Sequence, residues 1–274
     1  MLSTYIHLFR NKKSWYQPVI LLPLFCLLAC CLSCKKNDFS GGNPSVLQVF
    51  NAMDNAQHLY INFSGARPAQ FATSGYVNNQ QSSFDQTEFT TSNMFTLPAL
   101  STKVEFYSQQ DTLPHDKPLI STSMETAPGA SYLMFIIGTK SNPDFSVVKD
   151  SFPSAILSDS SFFIRFSNIS EESPVSVNIK GQAVGSLVQQ LPFKSSSGFH
   201  AIRIDKNLPD YEFEIRDQAS GTLITSYHLI GINSDIAFSV AMMYQPLTLI
   251  LTGRAGAAPP NEQKIKIIKH RATY

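Results

Sequence analysis

The sequence predicts an all-β protein, two tandem β-sandwiches behind a lipoprotein signal peptide. Three observations point there: a basic, then apolar, cysteine-ended amino terminus; short alternating strands broken by turn residues through the remainder; and an internal repeat relating residues near 46 to residues near 162.

Length and composition set the frame. A chain of 274 residues can bury a substantial core in one or two domains. Only 15% of its residues are charged, and Phe (20) and Tyr (10) are plentiful, which suits half-buried pleated sheets better than helical bundles. Residues 1–33 hold Arg10, Lys12 and Lys13 and no acid, which leaves 18 Lys+Arg against 20 Asp+Glu in the remainder. Such a nearly neutral body excludes duplex nucleic-acid binding, which rests on lysine and arginine contacts to phosphate.

The amino terminus reads as an export signal. Lys12 and Lys13 precede an apolar run of 14 residues, Val19 to Leu32, interrupted by Pro23. That run is shorter than the roughly 20 residues a membrane-spanning helix needs. All four cysteines (Cys26, Cys30, Cys31, Cys34) fall in or just after it, so no disulfide can staple the body. The segment Cys31-Leu-Ser-Cys34-Lys-Lys resembles a lipobox, with small Ser33 before the cysteine whose thiol takes a diacylglycerol. Leu27-Leu-Ala-Cys30 fits the same pattern, so the expected lipid attachment is Cys34 with Cys30 as the alternative. Several acyl chains, at about 0.8 kcal/mol per buried CH₂, anchor a protein firmly. The expected membrane partner is therefore the bilayer, met through the lipid alone. Residues 1–33 are read as signal peptide and 34–45 as a flexible tether rich in turn residues.

The body, residues 46–150 and 162–274 around a linker at 151–161, shows two weakly similar halves. At an offset of 116, Val46–Asn51 matches Phe162–Ser167, pairing Phe50 with Phe166; Leu59–Phe63 matches Val175–Ile179, and Gly65 matches Gly181. Apolar residues at 59, 61, 63 and at 175, 177, 179 alternate as one face of a strand does. Lys103–Tyr107 and Tyr211–Arg216 are a further alternating pair, followed by Leu119–Met124 and Leu223–His228. The long apolar runs Tyr132–Ile137 and Ile236–Met243 are matched as strands buried on both faces. Short strands at this spacing predict sandwiches. A polar insertion, Arg67–Asn93, is longer than its counterpart Gln182–Ser197 and is a place for recognition. Lys264–Arg271 alternates charge with apolar residues and reads as a closing strand, its lysines guarding a sheet edge or facing an anionic surface.

The strand ending in Gly65, then Gly129-Ala-Ser-Tyr132 with Gly138 beyond, and the late Leu251-Thr-Gly-Arg-Ala-Gly256 before a short basic strand resemble domain-of-unknown-function family 4397, in Bacteroidota-type envelope lipoproteins. The second copy departs in lacking the glycine bracket around Ile236–Met243. The resemblance implies Ig-like sandwiches in two copies and brings no catalytic residues. The triplet Asp111-Thr-Leu113 also resembles the O-glycosylation sequon of Bacteroidota.

Catalytic chemistry leaves no trace in the sequence. There is no Gly-x-Ser-x-Gly elbow, His58, His115, His200 and His228 occur singly, and Pro174 stands where the repeat would place a match for His58. Metal-ligand spacings and phosphate-binding glycine loops are absent too, apart from loop carboxylates Asp54, Glu171 and Glu172 that calcium could use. No catalytic residue, metal or cofactor is expected. The lone tryptophan, Trp15, lies in the signal peptide, so stacking on a sugar would fall to Tyr60, Tyr76, Tyr107, Tyr132, Tyr211, Tyr227 or Tyr244, unless these are core residues. The expectation is a noncatalytic envelope lipoprotein, lipid-anchored at the outer membrane, whose sandwiches bind a protein or glycan or act as a spacer. A carbohydrate-binding module, or a hydrolase with a loop-built site, is the alternative.

Overall fold

The computed structural model describes residues 43–56, 58–79, 93–98, 100–111, 113–154, 160–171, 174–205, 207–208, 210–231 and 246–270. Cys34, Cys30, the run Ile236–Met243 and the middle of the polar insertion lie outside the described residues.

The protein is all-β. Its first half comprises β1 (Ser45–Asn51), β2 (Leu59–Asn62), β3 (Gly75–Val77), β4 (Met94–Leu97), β5 (Ser101–Ser108), β6 (Ile120–Glu125), β7 (Ser131–Gly138) and β8 (Pro143–Lys149). The second comprises β9 (Ser161–Asn168), β10 (Val175–Ile179), β11 (Val188–Leu191), β12 (Ser195–Ser196), β13 (His200–Arg203), β14 (Asp210–Asp217), β15 (Leu223–Ile230), β16 (Leu247–Thr252) and β17 (Lys264–Lys269). One 3-10 turn, Asp54–Ala56, is the sole helical element among the described residues.

Each half is a pair of sheets. The first half stacks order β4-β1-β7-β8 on β3-β2-β5-β6; the second stacks β12-β9-β16-β17, with β13 also on β9, on β11-β10-β14-β15. Period-2 alternation drives each stack. Leu47, Val49, Met134 and Ile136 meet Leu59, Ile61, Val104 and Phe106 in one core, and Phe162, Ile164, Phe166, Leu249 and Leu251 meet Val177, Phe213 and Ile215 in the other. In both halves the first strand pairs in parallel with a late one, β1 with β7 and β9 with β16.

That pairing corrects the repeat in two places. The second-half equivalent of β7 is β16, Leu247–Thr252, and not Ile236–Met243, because β16 is the strand that lies parallel to β9. With β16 aligned, the closing glycine reappears in copy two. Gly138 (φ +83) ends β7 and Gly253 (φ +80) follows β16, where a Cβ would stand 2.4 Å and 2.1 Å from a backbone carbonyl oxygen, so only glycine fits. The first strands also match one residue later than expected. Asn51 and Asn168 each accept the N–H two residues on (Met53, Ser170), and Ala52 and Ile169 donate to Ile136 and Leu251. Phe166 is thus the partner of Val49, inside its sandwich, while Phe50 points out of its own. A one-residue slip moves every side chain to the other face of a strand, and two outward-facing aromatic residues disguised it.

The outward faces of β1–β7 and β9–β16 meet each other. Phe50, Leu133, Phe135 and Ile137 from the first sandwich pack with Ile169, Ile250 and Ile268 from the second. This explains why β7 is apolar without interruption: Tyr132, Met134 and Ile136 fill its own core while Leu133, Phe135 and Ile137 fill the seam. Three ion pairs flank the seam, with the acid in the first half and the base in the second: Asp54–Arg254, Asp144–Lys194 and Asp150–Arg165. β17 lies at a sheet edge as expected, but its basic face is not open. Lys266 is only 4% exposed, Ile268 sits in the seam, and the Lys264 ammonium bonds the Pro260 carbonyl and the Glu262 carboxylate.

A buried polar chain runs along one side of the seam. Ser131 donates to Asp150 (3.1 Å), Asp150 receives the Arg165 guanidinium (2.6 Å), Arg165 Nε reaches Thr248 Oγ1 (3.1 Å), and Thr248 Oγ1 contacts His270 Nε2 (2.7 Å). Arg165 also lies 4.7 Å from the Phe199 ring centre. Burial and then the Arg165 cation push the His270 pKa down from 6.5 to about 3. A neutral histidine in the folded state contributes stability that is complete above 6.5 and is lost as pH falls from there toward 3, because the unfolded chain takes up the proton first. Unfolding free energies from urea denaturation between pH 7 and pH 4.5 are expected to fall, with a slope of up to about 1.4 kcal/mol per pH unit from this residue. His270→Gln should flatten that slope; an unchanged slope contradicts the neutral, buried assignment.

Candidate functional site

The outer face of the sheet β3-β2-β5-β6 carries a row of rings. Tyr76 on β3, Tyr60 on β2 and Tyr107 on β5 are register partners across three adjacent strands. The first part of the polar insertion folds over this row. Asn62 Oδ1 accepts the Ser64 N–H at 3.1 Å, closing a tight turn into Gly65, and the Ala69 N–H donates to the His115 carbonyl at 3.0 Å. The loop thereby lays Phe71 between Tyr60 (centroids 4.2 Å apart, 19° between planes) and His115 (3.8 Å, 20°). At the other end Tyr76 meets Tyr60 edge-on at 5.4 Å and stacks on His58 at 5.6 Å. His58 is oriented by the Asn79 N–H, which donates to Nδ1 at 3.1 Å.

Beneath the loop the row is braced by charge. Tyr107 donates to Glu105 Oε2 (2.9 Å), and Glu105 Oε1 takes Arg67 (2.8 Å), Lys103 (2.8 Å) and Ser121 (3.2 Å). Burial alone would raise the Glu105 pKa, but the bonds from Arg67, Lys103 and Tyr107 outweigh it and hold the group at about 2. Burial and the same carboxylate push Tyr107 up to about 12. Tyr107 is wholly buried, Tyr60, Phe71, His58 and His115 are half-buried, and Tyr76 is 38% exposed. The exposed end of the row is therefore Tyr76, beside His58 and with its hydroxyl 3.4 Å from Gln109 Oε1.

The second sandwich shows that the fold does not require this row. Asn178 faces Glu214 as Asn62 faces Glu105, and the Pro174 carbonyl accepts from Gln218 as His58 accepts from Gln109. On that alignment His58, Tyr60 and Tyr107 correspond to Pro174, Ser176 and Arg216, and a register shift opposite Ser176 leaves Gln189 and Gln190 where Tyr76 stands. Copy two keeps the carboxylate, with Asn178 and Arg216 on Glu214, and has no aromatic residue at those positions.

The structure sorts the other expected residues. Tyr132, Tyr211 and Tyr227 are core residues, the first two with hydroxyls bonded to backbone, and Tyr244 lies outside the described residues. His58 and His115 join the ring row, whereas His200 lies apart near Phe166 and His228 pairs with Asp210 at 2.8 Å. Asp54 bonds Arg254 and Glu172 lies outside the described residues; among the described residues no group of three His, Cys, Asp or Glu side chains converges. Leu113, closing the Asp111-Thr-Leu113 triplet, is 83% exposed.

Sequence reasoning missed Phe71, whose only signal was its place in a long polar insertion. It also missed the seam cavity of about 280 Å³ lined by Gln48, Ser131, Asp150, Phe152 and His270.

No protein-family model and no curated protein matches the chain. Among solved structures, a Bacteroides ovatus protein described as a candidate adhesin is similar at 11% identity over 83% of this chain and 95% of that one, with a TM-score of 0.25. At that score the likeness bears on neither fold nor function.

Proposed function

We propose that the chain is a noncatalytic lipoprotein of the bacterial cell envelope, lipid-anchored at the outer membrane through Cys34, with Cys30 as the alternative acceptor, and that its first sandwich binds a ligand at the Tyr76–Tyr60–Phe71 face. The anchor rests on Lys12 and Lys13, the short apolar run and Ser33 before Cys34. The two-copy, two-sheet architecture supports the sandwich that the resemblance to family 4397 implies. One observation carries the binding role: the ring row stands in one copy of a repeat whose other copy builds the same strands without it. The positions of Tyr60 and Tyr107 are filled by Ser176 and Arg216 in the second half, so the shared strands alone do not select rings there.

The test uses full-length protein in detergent. Tyr60→Ala with Tyr76→Ala should weaken its binding to purified outer-membrane and surface-polymer fractions at least tenfold, about 1.4 kcal/mol. Leu223→Ala, on an exposed strand of the second sandwich, should leave binding unchanged. Equal binding by the tyrosine variant contradicts the assignment.

A further inference from the structure

Resting on that reading, we infer that the ligand of the ring row is a neutral polysaccharide chain, stacked on Tyr76 and held by hydrogen bonds from the polar rim. Three features favour this class.

The first is charge. The charged groups bracing the row are engaged beneath the loop: Glu105 takes Arg67 and Lys103, and His115 lies 3.7 Å from Asp111. The described contacts of the exposed ring, Tyr76, are with His58, Tyr60 and Gln109, so a ligand stacked there meets no lysine, arginine or carboxylate among them. The second is the rim. Exposed Gln70, Asn78 and Gln109 border the row, amides that both donate and accept and so suit hydroxyl groups of either polarity. The third is extent. A stable protein interface buries roughly 800 Å² per partner around an apolar core. Of the large apolar side chains exposed among the described residues, Tyr76 alone belongs to this row. A ring with a negative face, a narrow apolar strip and neutral amides at its edge match a sugar, whose C–H face packs on the ring while its hydroxyls reach the rim.

The insertion fits the same purpose. It supplies Phe71, clamped between Tyr60 and His115, which fixes the row before any ligand arrives.

Calorimetric titration of the full chain in detergent with cellohexaose, laminarihexaose, xylohexaose and mannohexaose tests this. At least one should bind with a Kd below about 1 mM, polygalacturonate should not, Tyr76→Ala should weaken binding at least tenfold and Gln109→Ala measurably, and Leu223→Ala should change nothing. Failure of all four neutral hexaoses overturns the glycan assignment. If the tyrosine double variant still loses binding to an outer-membrane protein, the face is a recognition site and only the ligand class falls. Saccharide binding indifferent to Tyr76→Ala overturns both the ligand class and the face.

Discussion

Asp150→Ala should destabilise the protein by about 3–5 kcal/mol, among the largest effects of any single substitution outside the cores. Arg165 is 2% exposed, its Nη1 bonds Asp150 at 2.6 Å, and its Nη2 has no partner. Removing the carboxylate leaves a guanidinium buried beside the Thr248 hydroxyl and the Phe199 ring, with nothing to balance its charge. The bridge itself contributes little net stability; the cost comes from breaking one half of it. The double variant Asp150→Asn with Arg165→Met should therefore recover most of the loss. Urea denaturation of the two variants checks this, and a cost below about 1 kcal/mol for Asp150→Ala contradicts the buried-pair description.

Phe135→Ala should cost a similar amount, about 3–5 kcal/mol, and change the shape of unfolding as well. Phe135 is 1% exposed, packs edge-on to Phe50 with centroids 6.0 Å apart, and sits in the seam cluster with Ile169, Ile250 and Ile268. It belongs to neither sandwich core, so its loss weakens only the coupling between halves. Residues 41–274 form one compact unit and should melt in a single transition in the parent. In the variant the transition should broaden or split. Loss of stability with an unaltered single transition would place Phe135 inside one cooperative half and contradict the seam.

Much of the architecture was written in the local pattern. Alternation at 59, 61, 63 and at 175, 177, 179 gave β2 and β10, because a half-buried strand cannot hide its period. The register of β1 against β9 was not legible, since Phe50 buries its outward face in the seam and the outward position of β9 is held by half-buried Phe163, where a strand facing water would show polar residues. For the same reason Arg165, alone among Phe and Ile in its strand, gave no hint that its partner lay before the linker at Asp150. The strand β8 went unread as well, its alternation blurred by Pro143, Asp144 and Phe145 at a partly buried edge. As for the site, Tyr60, Tyr76 and Tyr107 stood in the sequence as candidate stacking residues beside four others, and only register across three strands separates them from Tyr132, Tyr211 and Tyr227 in the cores. Phe71 reaches the row through a loop whose path depends on the Asn62 turn and the Ala69–His115 bond, contacts that no spacing rule encodes.

Lipid on a cysteine is the claim on which the envelope placement depends. Mass spectrometry of the mature amino-terminal peptide from the membrane fraction of the producing cell measures it directly. The expected product is a chain that starts at Cys34, with residues 1–33 removed and the mass of a diacylglyceryl and acyl modification on that residue; an acylated start at Cys30 moves the anchor by four residues and keeps the rest. An unmodified chain beginning at Met1 and recovered from the soluble fraction contradicts it.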